Sequence, residues 1–216
     1  MKVLVTGSNG FIGKHISLWL AREGYDVLKY DINNSEDDLI NDLKEAEFII
    51  HLAGINRPLS TSEFYDGNTN FTKKIVDLLV KLKRNTPIIM SSSIQASLDN
   101  DYGKSKKMGE DYLFNSSLPV YVYRLYNVFG KWCLPNYNSV IATFSYNIAH
   151  ELAIGVSDEN NVITFNYIDD ICFEFLKCLK GDKKGSKEIL YVSPTYDCSL
   201  GNIHRLLYYF KEEVQS

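Results

Sequence analysis

Three groups of residues in this chain have types and spacings that could do chemistry together. The first is Tyr102-Gly103-Lys104-Ser105-Lys106, which holds a Tyr-x-x-x-Lys pair. Helical positions four apart share a face, so Tyr102 and Lys106 can point into one pocket. A phenol with a pKa near 10 exchanges protons poorly at neutral pH, and bringing it to 7 takes roughly 4 kcal/mol of preference for phenolate. A nearby ammonium and a cofactor's positive ring can supply that preference. Lys106 is therefore expected to lower the Tyr102 pKa and to hold a nicotinamide ribose. The spacing is common by chance and means little alone. The second group gives it weight: Ser91-Ser92-Ser93 ends an apolar strand. Open α/β sheets bind ligands at the carboxyl ends of their strands. Ser93 there can donate a hydrogen bond to a carbonyl or alcohol oxygen.

The third group is Gly7-Ser8-Asn9-Gly10-Phe11-Ile12-Gly13, between an apolar strand and a helix. Gly7 permits a tight turn, Gly10 lets backbone approach a pyrophosphate, and Gly13 lets helix pack on strand. The loop, including Asn9, Phe11 and Ile12, would present a helix N-terminus to phosphate. Asp31 closes the second strand, 31 − 7 = 24 residues after Gly7. A carboxylate there accepts from both adenosine ribose hydroxyls and repels a 2′-phosphate, which favours NAD(H).

Other chemistries find no support. His15, His51, His150 and His204 are scattered without metal-ligand spacing, and His51, inside a strand, reads as a core histidine. Cys133, Cys172, Cys178 and Cys198 form no Cys-x-x-Cys pair, so they read as reduced thiols of a cytosolic protein, with no metal site.

The elements that must position these residues follow from the apolar pattern. Strands are expected at 2–6, 26–30, 48–53, 88–92 and 120–125. Helices are expected at 11–22, 35–46, about 70–83 and about 102–115. This βαβαβ order predicts an α/β fold, a doubly wound parallel sheet. Beyond residue 130 the rhythm loosens. Residues 131–138 read as a loop, helices are expected at 139–151, 168–180 and 200–211, and short strands near 162–165 and 188–192. The expected division is a dinucleotide-binding domain over 1–130 and a small substrate lobe over 131–216.

Composition bounds the rest. The 216 residues are 45% hydrophobic and 23% charged, ordinary for a globular chain. Such a chain hides roughly 70% of the surface its unfolded form exposes. A net charge of −4 with pI near 5.6 argues against nucleic acid as partner. No window is apolar for the ~20 residues of a membrane span.

With these residues in place, the chain resembles an extended short-chain dehydrogenase/reductase of the nucleotide-sugar type (the NAD-dependent epimerase/dehydratase family), over nearly its whole length. Besides the loop and the Tyr-Lys pair, the resemblance rests on His51-Leu52-Ala53-Gly54, Asn68, Thr72, Arg124 to Gly130, and Tyr167-Ile168-Asp169-Asp170. Ser91 to Ala96, Asp101-Tyr102-Gly103 and Phe129 to Val140 resemble the reductase domain of bifunctional capsular-polysaccharide enzymes.

That resemblance implies reduction of the C4 ketone of a UDP-2-acetamido-2,6-dideoxy-hexosulose. It implies Ser93, Tyr102 and Lys106 as catalytic residues. Leu52, Ala53 and Gly54 join the glycine loop, Asp31, Tyr102 and Lys106 around the cofactor. Asn127, Lys131, Trp132 and Asn138, with Ser93, border the UDP-sugar. Ile94-Gln95 stand where the superfamily's dehydratases carry Asp-Glu, which disfavours loss of water. The capsular enzymes favour NADPH, so NADP(H) stays open beside the NAD(H) that Asp31 favours. Their C-terminal metal-binding cupin domain would begin about where this chain stops, at Glu212 to Ser216, and its epimerase activity is not carried over. A homodimer through the helices at 70–83 and 102–115 and a cytoplasmic location are also implied. The alternatives are a UDP-hexose 4-epimerase and a non-catalytic cofactor-binding sensor or scaffold.

Overall fold

Short apolar runs bounded by glycine or polar turns form the strands. Longer runs with an apolar stripe form the helices. A computed structural model describes residues 1–215 with side chains to Glu213; Ser216 and the side chains of Val214 and Gln215 lie outside the described residues. In chain order the elements are β1 (Lys2–Thr6), α1 (Phe11–Arg22), β2 (Asp26–Tyr30), α2 (Glu36–Glu45), β3 (Phe48–His51) and α3 (Thr61–Phe64). A π-helical turn (Tyr65–Asn70) leads into α4 (Phe71–Lys81), then β4 (Ile88–Ser93), a 3₁₀ turn (Ile94–Ser97), α5 (Asp101–Asn115), β5 (Val120–Leu125) and β6 (Asn127–Phe129). The remainder is α6 (Val140–Ala149), β7 (Val162–Tyr167), α7 (Ile168–Leu179), β8 (Ile189–Leu190), β9 (Tyr196–Ser199) and α8 (Leu200–Gln215).

The chain divides into two units. The first comprises Met1–Leu125 and Cys172–Val192. Its six-stranded sheet has the order β2-β1-β3-β4-β5-β8, and every pairing is parallel. Parallel strands are covered on both faces, which is why all four residues of β3 are buried and apolar or hydrogen-bonded. Leu4, Ile49, Ile75, Leu79, Ile88 and Val122 pack in one core, each contributing roughly 1.5–3 kcal/mol by leaving water. The strand order reverses between β1 and β3, where Thr6 pairs with His51. Such a switch point opens a crevice at the carboxyl ends of the strands.

The second unit comprises Tyr126–Ile171 and the residues from Ser193 onward. In its sheet, β7 pairs parallel with β6 and antiparallel with β9. Phe144, Phe165, Leu200 and Ile203 form its own core.

The parallel α/β architecture is as expected, but three details differ. Residues 172–192 belong to the first unit, not to a contiguous 131–216 lobe, because β8 extends the parallel sheet beside β5. β3 ends at His51 rather than Ala53, since the Ala53 N–H turns to the Thr6 hydroxyl at 3.3 Å. The helix expected from about residue 70 is preceded by α3 and the π-helical turn. Among the described residues no helix is long and apolar enough to cross a membrane.

Candidate active site

The glycine loop sits at the switch point, and steric fit explains two of its three glycines. Gly7 has φ of 68°, and a Cβ there would lie 2.7 Å from the Ala53 nitrogen. A Cβ on Gly13 would lie 2.1 Å from the Gly7 carbonyl oxygen, its three nearest neighbours all being backbone. The loop is tied back by Gly10 N–H to the Gly7 carbonyl at 3.0 Å and by Ser8 N–H to the Tyr30 carbonyl at 3.3 Å. Gly10 caps α1 without a side-chain hydrogen bond, so no side chain competes for the first-turn N–H groups. Phe11 and Ile12 open that helix, both partly buried.

Asp31 lies across the loop. Its carboxylate accepts from Asn9 N–H at 2.7 Å and Ile32 N–H at 2.8 Å. An ionised carboxylate has about four acceptor sites, so room remains for two hydroxyls. The residues therefore fit a dinucleotide: a helix start without side-chain caps for phosphate, and a carboxylate fixed by the loop itself for a ribose.

A buried hydrogen-bond chain joins the loop to the helices. Thr72 Oγ1 donates to the Asn68 carbonyl at 2.6 Å, so it must accept from His51 Nε2–H at 2.9 Å. His51 Nδ1 then accepts from Thr6 Oγ1 at 2.8 Å, and Thr6 accepts from Ala53 N–H. Both ring nitrogens are satisfied with the imidazole neutral. Burial, with a smaller push from the Lys106 charge, lowers the His51 pKa to about 3. This is the core histidine that the sequence indicates.

The π-helical turn aims Asn68 inward. Its Oδ1 accepts from Ile55 N–H at 2.9 Å, and its Nδ2 donates to the Ile55 carbonyl and to Ser105 Oγ, each at 2.9 Å. Ser105 Oγ donates in turn to the Tyr102 carbonyl at 2.7 Å.

α5 brings the reactive groups together. Asn100 caps it by accepting from Gly103 N–H at 2.7 Å, and a Cβ on Gly103 would lie 2.1 Å from the Gln95 carbonyl oxygen. The start of α5 is thus seated on the 3₁₀ turn that follows Ser93. Tyr102 hydrogen-bonds the Ser93 side chain, and its ring lies 5.6 Å from that of Phe64. One turn on, Lys106 is 6% exposed and its Nζ donates to the Ser91 carbonyl at 3.3 Å. A Cβ on Gly54 would come within 2.8 Å of that Nζ and 2.6 Å of Asn68 Oδ1, so Gly54 leaves space for the amine.

The expected lowering of the Tyr102 pKa by Lys106 needs correction. Burial raises the phenol above its ordinary value, and the Ser93 hydrogen bond opposes the rise. The physical reason is direction: the ammonium is turned to the Ser91 carbonyl. Burial also lowers the Lys106 pKa to about 8, with Glu110 opposing.

Glu110 and Arg124 were not singled out as site residues by type and spacing. Glu110 is fully buried one turn beyond Lys106. It accepts from Ser92 Oγ at 2.5 Å and from Arg124 Nε and Nη2 at 2.9 and 2.7 Å. The available signal was the eight-residue interval from Tyr102 through Lys106, which keeps all three on one helical face.

In the second unit, Asn127 stands on β6 and donates to the Thr164 carbonyl at 3.3 Å. Trp132 is 50% exposed rather than packed in a core, has φ of 69°, and carries the Lys131 ammonium 4.9 Å from its ring centre. Asn138 is exposed on the same loop. A cavity of about 420 Å³ in this unit is lined by Phe129, Gly130, Cys133, Ser139 and Tyr146 among others. Among the described residues no group of three or more His, Cys, Asp or Glu side chains is placed to hold a metal.

Residues 3–192 match the NAD dependent epimerase/dehydratase family. The chain is 40% identical to the UDP-2-acetamido-2,6-beta-L-arabino-hexul-4-ose reductase of Pseudomonas aeruginosa, over all of this chain and 59% of that protein. Its structure resembles the crystal structure of the capsular polysaccharide assembling protein CapF of Staphylococcus aureus, with a TM-score of 0.86 and 38% identity, covering 99% of this chain and 58% of that one. It also shares the fold of UDP-glucuronic acid 4-epimerase from Bacillus cereus in complex with NAD, with a TM-score of 0.87 and 20% identity, covering 98% of this chain and 85% of that one. The chain thus spans less than two thirds of the length of its reductase and CapF relatives.

Proposed function

Because this chain belongs to the NAD dependent epimerase/dehydratase family, we propose that it reduces the C4 ketone of a UDP-2-acetamido-2,6-dideoxy-hexosulose, with NADH preferred through Asp31. The observation that carries the reading is the partly buried Tyr102 phenol, hydrogen-bonded to Ser93 and one helical turn from Lys106. The reductase activity of the P. aeruginosa relative supports the substrate class.

A nicotinamide held by these residues would supply the hydride for the ketone carbon. The protein's own residues handle the oxygen. Ser93 donates a hydrogen bond to it, stabilising the charge that develops there. Tyr102 gives it the proton. A phenol held above its ordinary pKa stays protonated at neutral pH and is available as that donor. Lys106 is charged below pH of about 8, where its ammonium can hold a ribose hydroxyl. Gly7, Asn9, Gly10, Phe11, Ile12 and Gly13 surround the pyrophosphate. Leu52, Ala53 and Gly54 line the neighbouring strand end. Asn127, Lys131, Trp132 and Asn138 contact the sugar nucleotide. The protein works in the cytoplasm as a homodimer through α4 and α5.

The test is absorbance at 340 nm with NADH and a UDP-4-keto-6-deoxy-HexNAc. The reading expects substrate-dependent loss of NADH that Tyr102→Phe abolishes. Undiminished loss in Tyr102→Phe would refute the mechanism. A sugar interconverted with no net NADH consumption would point to a 4-epimerase instead.

A further inference from the structure

We propose that Glu110 is a positioning residue that keeps Lys106 protonated, one helical turn away, and so sets the pH range over which the Tyr102–Lys106 pair works. The inference deepens the reading of Lys106 given above and rests on it. Tyr102, Lys106 and Glu110 are spaced by four on α5 and lie on one face. Lys106 Nζ reaches the Ser91 carbonyl, while Glu110 Oε1 receives the hydroxyl of Ser92, so their polar ends land on consecutive residues of β4. Glu110 is fully buried and Lys106 is 6% exposed. Two unlike charges one helical turn apart in a medium poorer than water attract each other.

The other groups around Lys106 do not replace this charge. His51, from β3, is neutral at ordinary pH. Asn68, from the π-helical turn, and Ser91 are uncharged. Tyr102, on α5 itself, is a protonated phenol. Glu63, Asp66 and Asp77, on the elements packed against α5, are engaged with Leu59 N–H, Asn70 and Tyr112. Lys73 and Lys74, on α4, lie over the Tyr112 ring and against Glu36.

Arg124, from β5, is the one opposing charge. It grips Glu110 in a two-point pair and also donates from Nη1 to Ser97 Oγ at 2.7 Å. The Arg124 side chain is 12% exposed against 0% for Glu110, so water screens the cation more than the anion. The balance agrees with the direction found: burial lowers the Lys106 pKa, and Glu110 raises it back.

The experiment is a pH titration of the lysine ¹³Cε resonances, with the Lys106 signal identified by its loss in Lys106→Met. The wild-type midpoint should lie near pH 8. Glu110→Gln keeps hydrogen-bonding atoms but removes the charge, and should lower the midpoint by about one pH unit. Glu110→Asp keeps the charge and should leave it close to wild type. An unchanged midpoint in Glu110→Gln overturns the proposal. If Glu110→Gln does not fold, the Glu110 carboxyl carbon in the wild type takes its place. It should show an inflection at the Lys106 midpoint that disappears in Lys106→Met, and a trace without that inflection also overturns the proposal. No turnover is read, so normal titrations with no NADH oxidation would sink the proposed reaction and leave this inference standing.

Discussion

The buried histidine gives a prediction whose sign and size follow from its surroundings. His51 is 2% exposed and held neutral between Thr6 and Thr72. Its folded pKa is about 3, against an ordinary value of 6.5. Between those values the unfolded chain binds a proton that the folded chain refuses, so stability falls as pH falls. The contribution is fully present above pH 6.5 and is lost toward the folded value, at about 1.4 kcal/mol per unit. From pH 7.5 to pH 5 this one group should cost about 2 kcal/mol, a sizeable part of the ~5–15 kcal/mol that typically holds a domain together.

Other acidic groups titrate over the same range, so the informative quantity is a difference. His51→Leu removes the titration and leaves the Thr6 hydroxyl hydrogen without its acceptor, at a cost of about 1–3 kcal/mol near pH 7.5. Urea unfolding followed by far-UV circular dichroism, at both pH values, measures each protein. The stability gap between wild type and His51→Leu should narrow, or reverse, by about 2 kcal/mol at pH 5. A gap of the same size at both pH values would refute the neutral, doubly bonded histidine.

Three further outcomes follow from the site. In Gly13→Ala the three atoms nearest the new Cβ are backbone, the first at 2.1 Å, so α1 must shift off the loop. Stability should drop by about 1–3 kcal/mol and the calorimetric Kd for NADH should rise at least about tenfold, which corresponds to some 1.4 kcal/mol. Gly24→Ala, at φ of 81° with nothing within 4 Å, should strain the turn but leave that Kd unchanged. With Asp31 as the proposed ribose acceptor, Asp31→Ala should lower the NADH to NADPH ratio of kcat/KM by about an order of magnitude; an unaltered ratio would remove Asp31 from cofactor choice. Gly54→Ala puts a methyl against Lys106 Nζ and Asn68 Oδ1, and steady-state kinetics should show KM for NADH rising with kcat falling.

The first unit was the more legible in sequence because its signals are local and repeated. A buried parallel strand is a short apolar run, and Lys2–Thr6 and Val120–Leu125 carry no competing pattern. Gly7 and Gly13 are steric requirements written as residue type, visible before any coordinates. β6 and β9 are three and four residues long, too short for a periodic pattern to distinguish them from loop. The return of residues 172–192 to the first sheet rests on β8, a two-residue strand whose partner lies more than sixty residues earlier.

At the site, Tyr102, Lys106 and Ser93 could be named from spacing, but the direction of the Lys106 ammonium could not. That direction depends on Gly54 leaving room and on the Ser91 carbonyl. Asn68 and Thr72 share the buried face of the π-turn and α4 with Ile75, Val76 and Leu79. They are polar residues at core-facing spacing, and with His51 inside its strand they are the trace in the sequence of the hydrogen-bond chain they complete.

Hydride transfer to the sugar's C4 is the central claim, and isotope transfer tests it most directly. NADH deuterated at nicotinamide C4, prepared separately on each face, is incubated with a UDP-4-keto-6-deoxy-HexNAc and the product is read by NMR and mass spectrometry. One labelled face should deliver a single deuterium to sugar C4, with one NAD⁺ formed per product. A product carrying no deuterium at C4 from either face, or formed without NADH consumption, would contradict the claim.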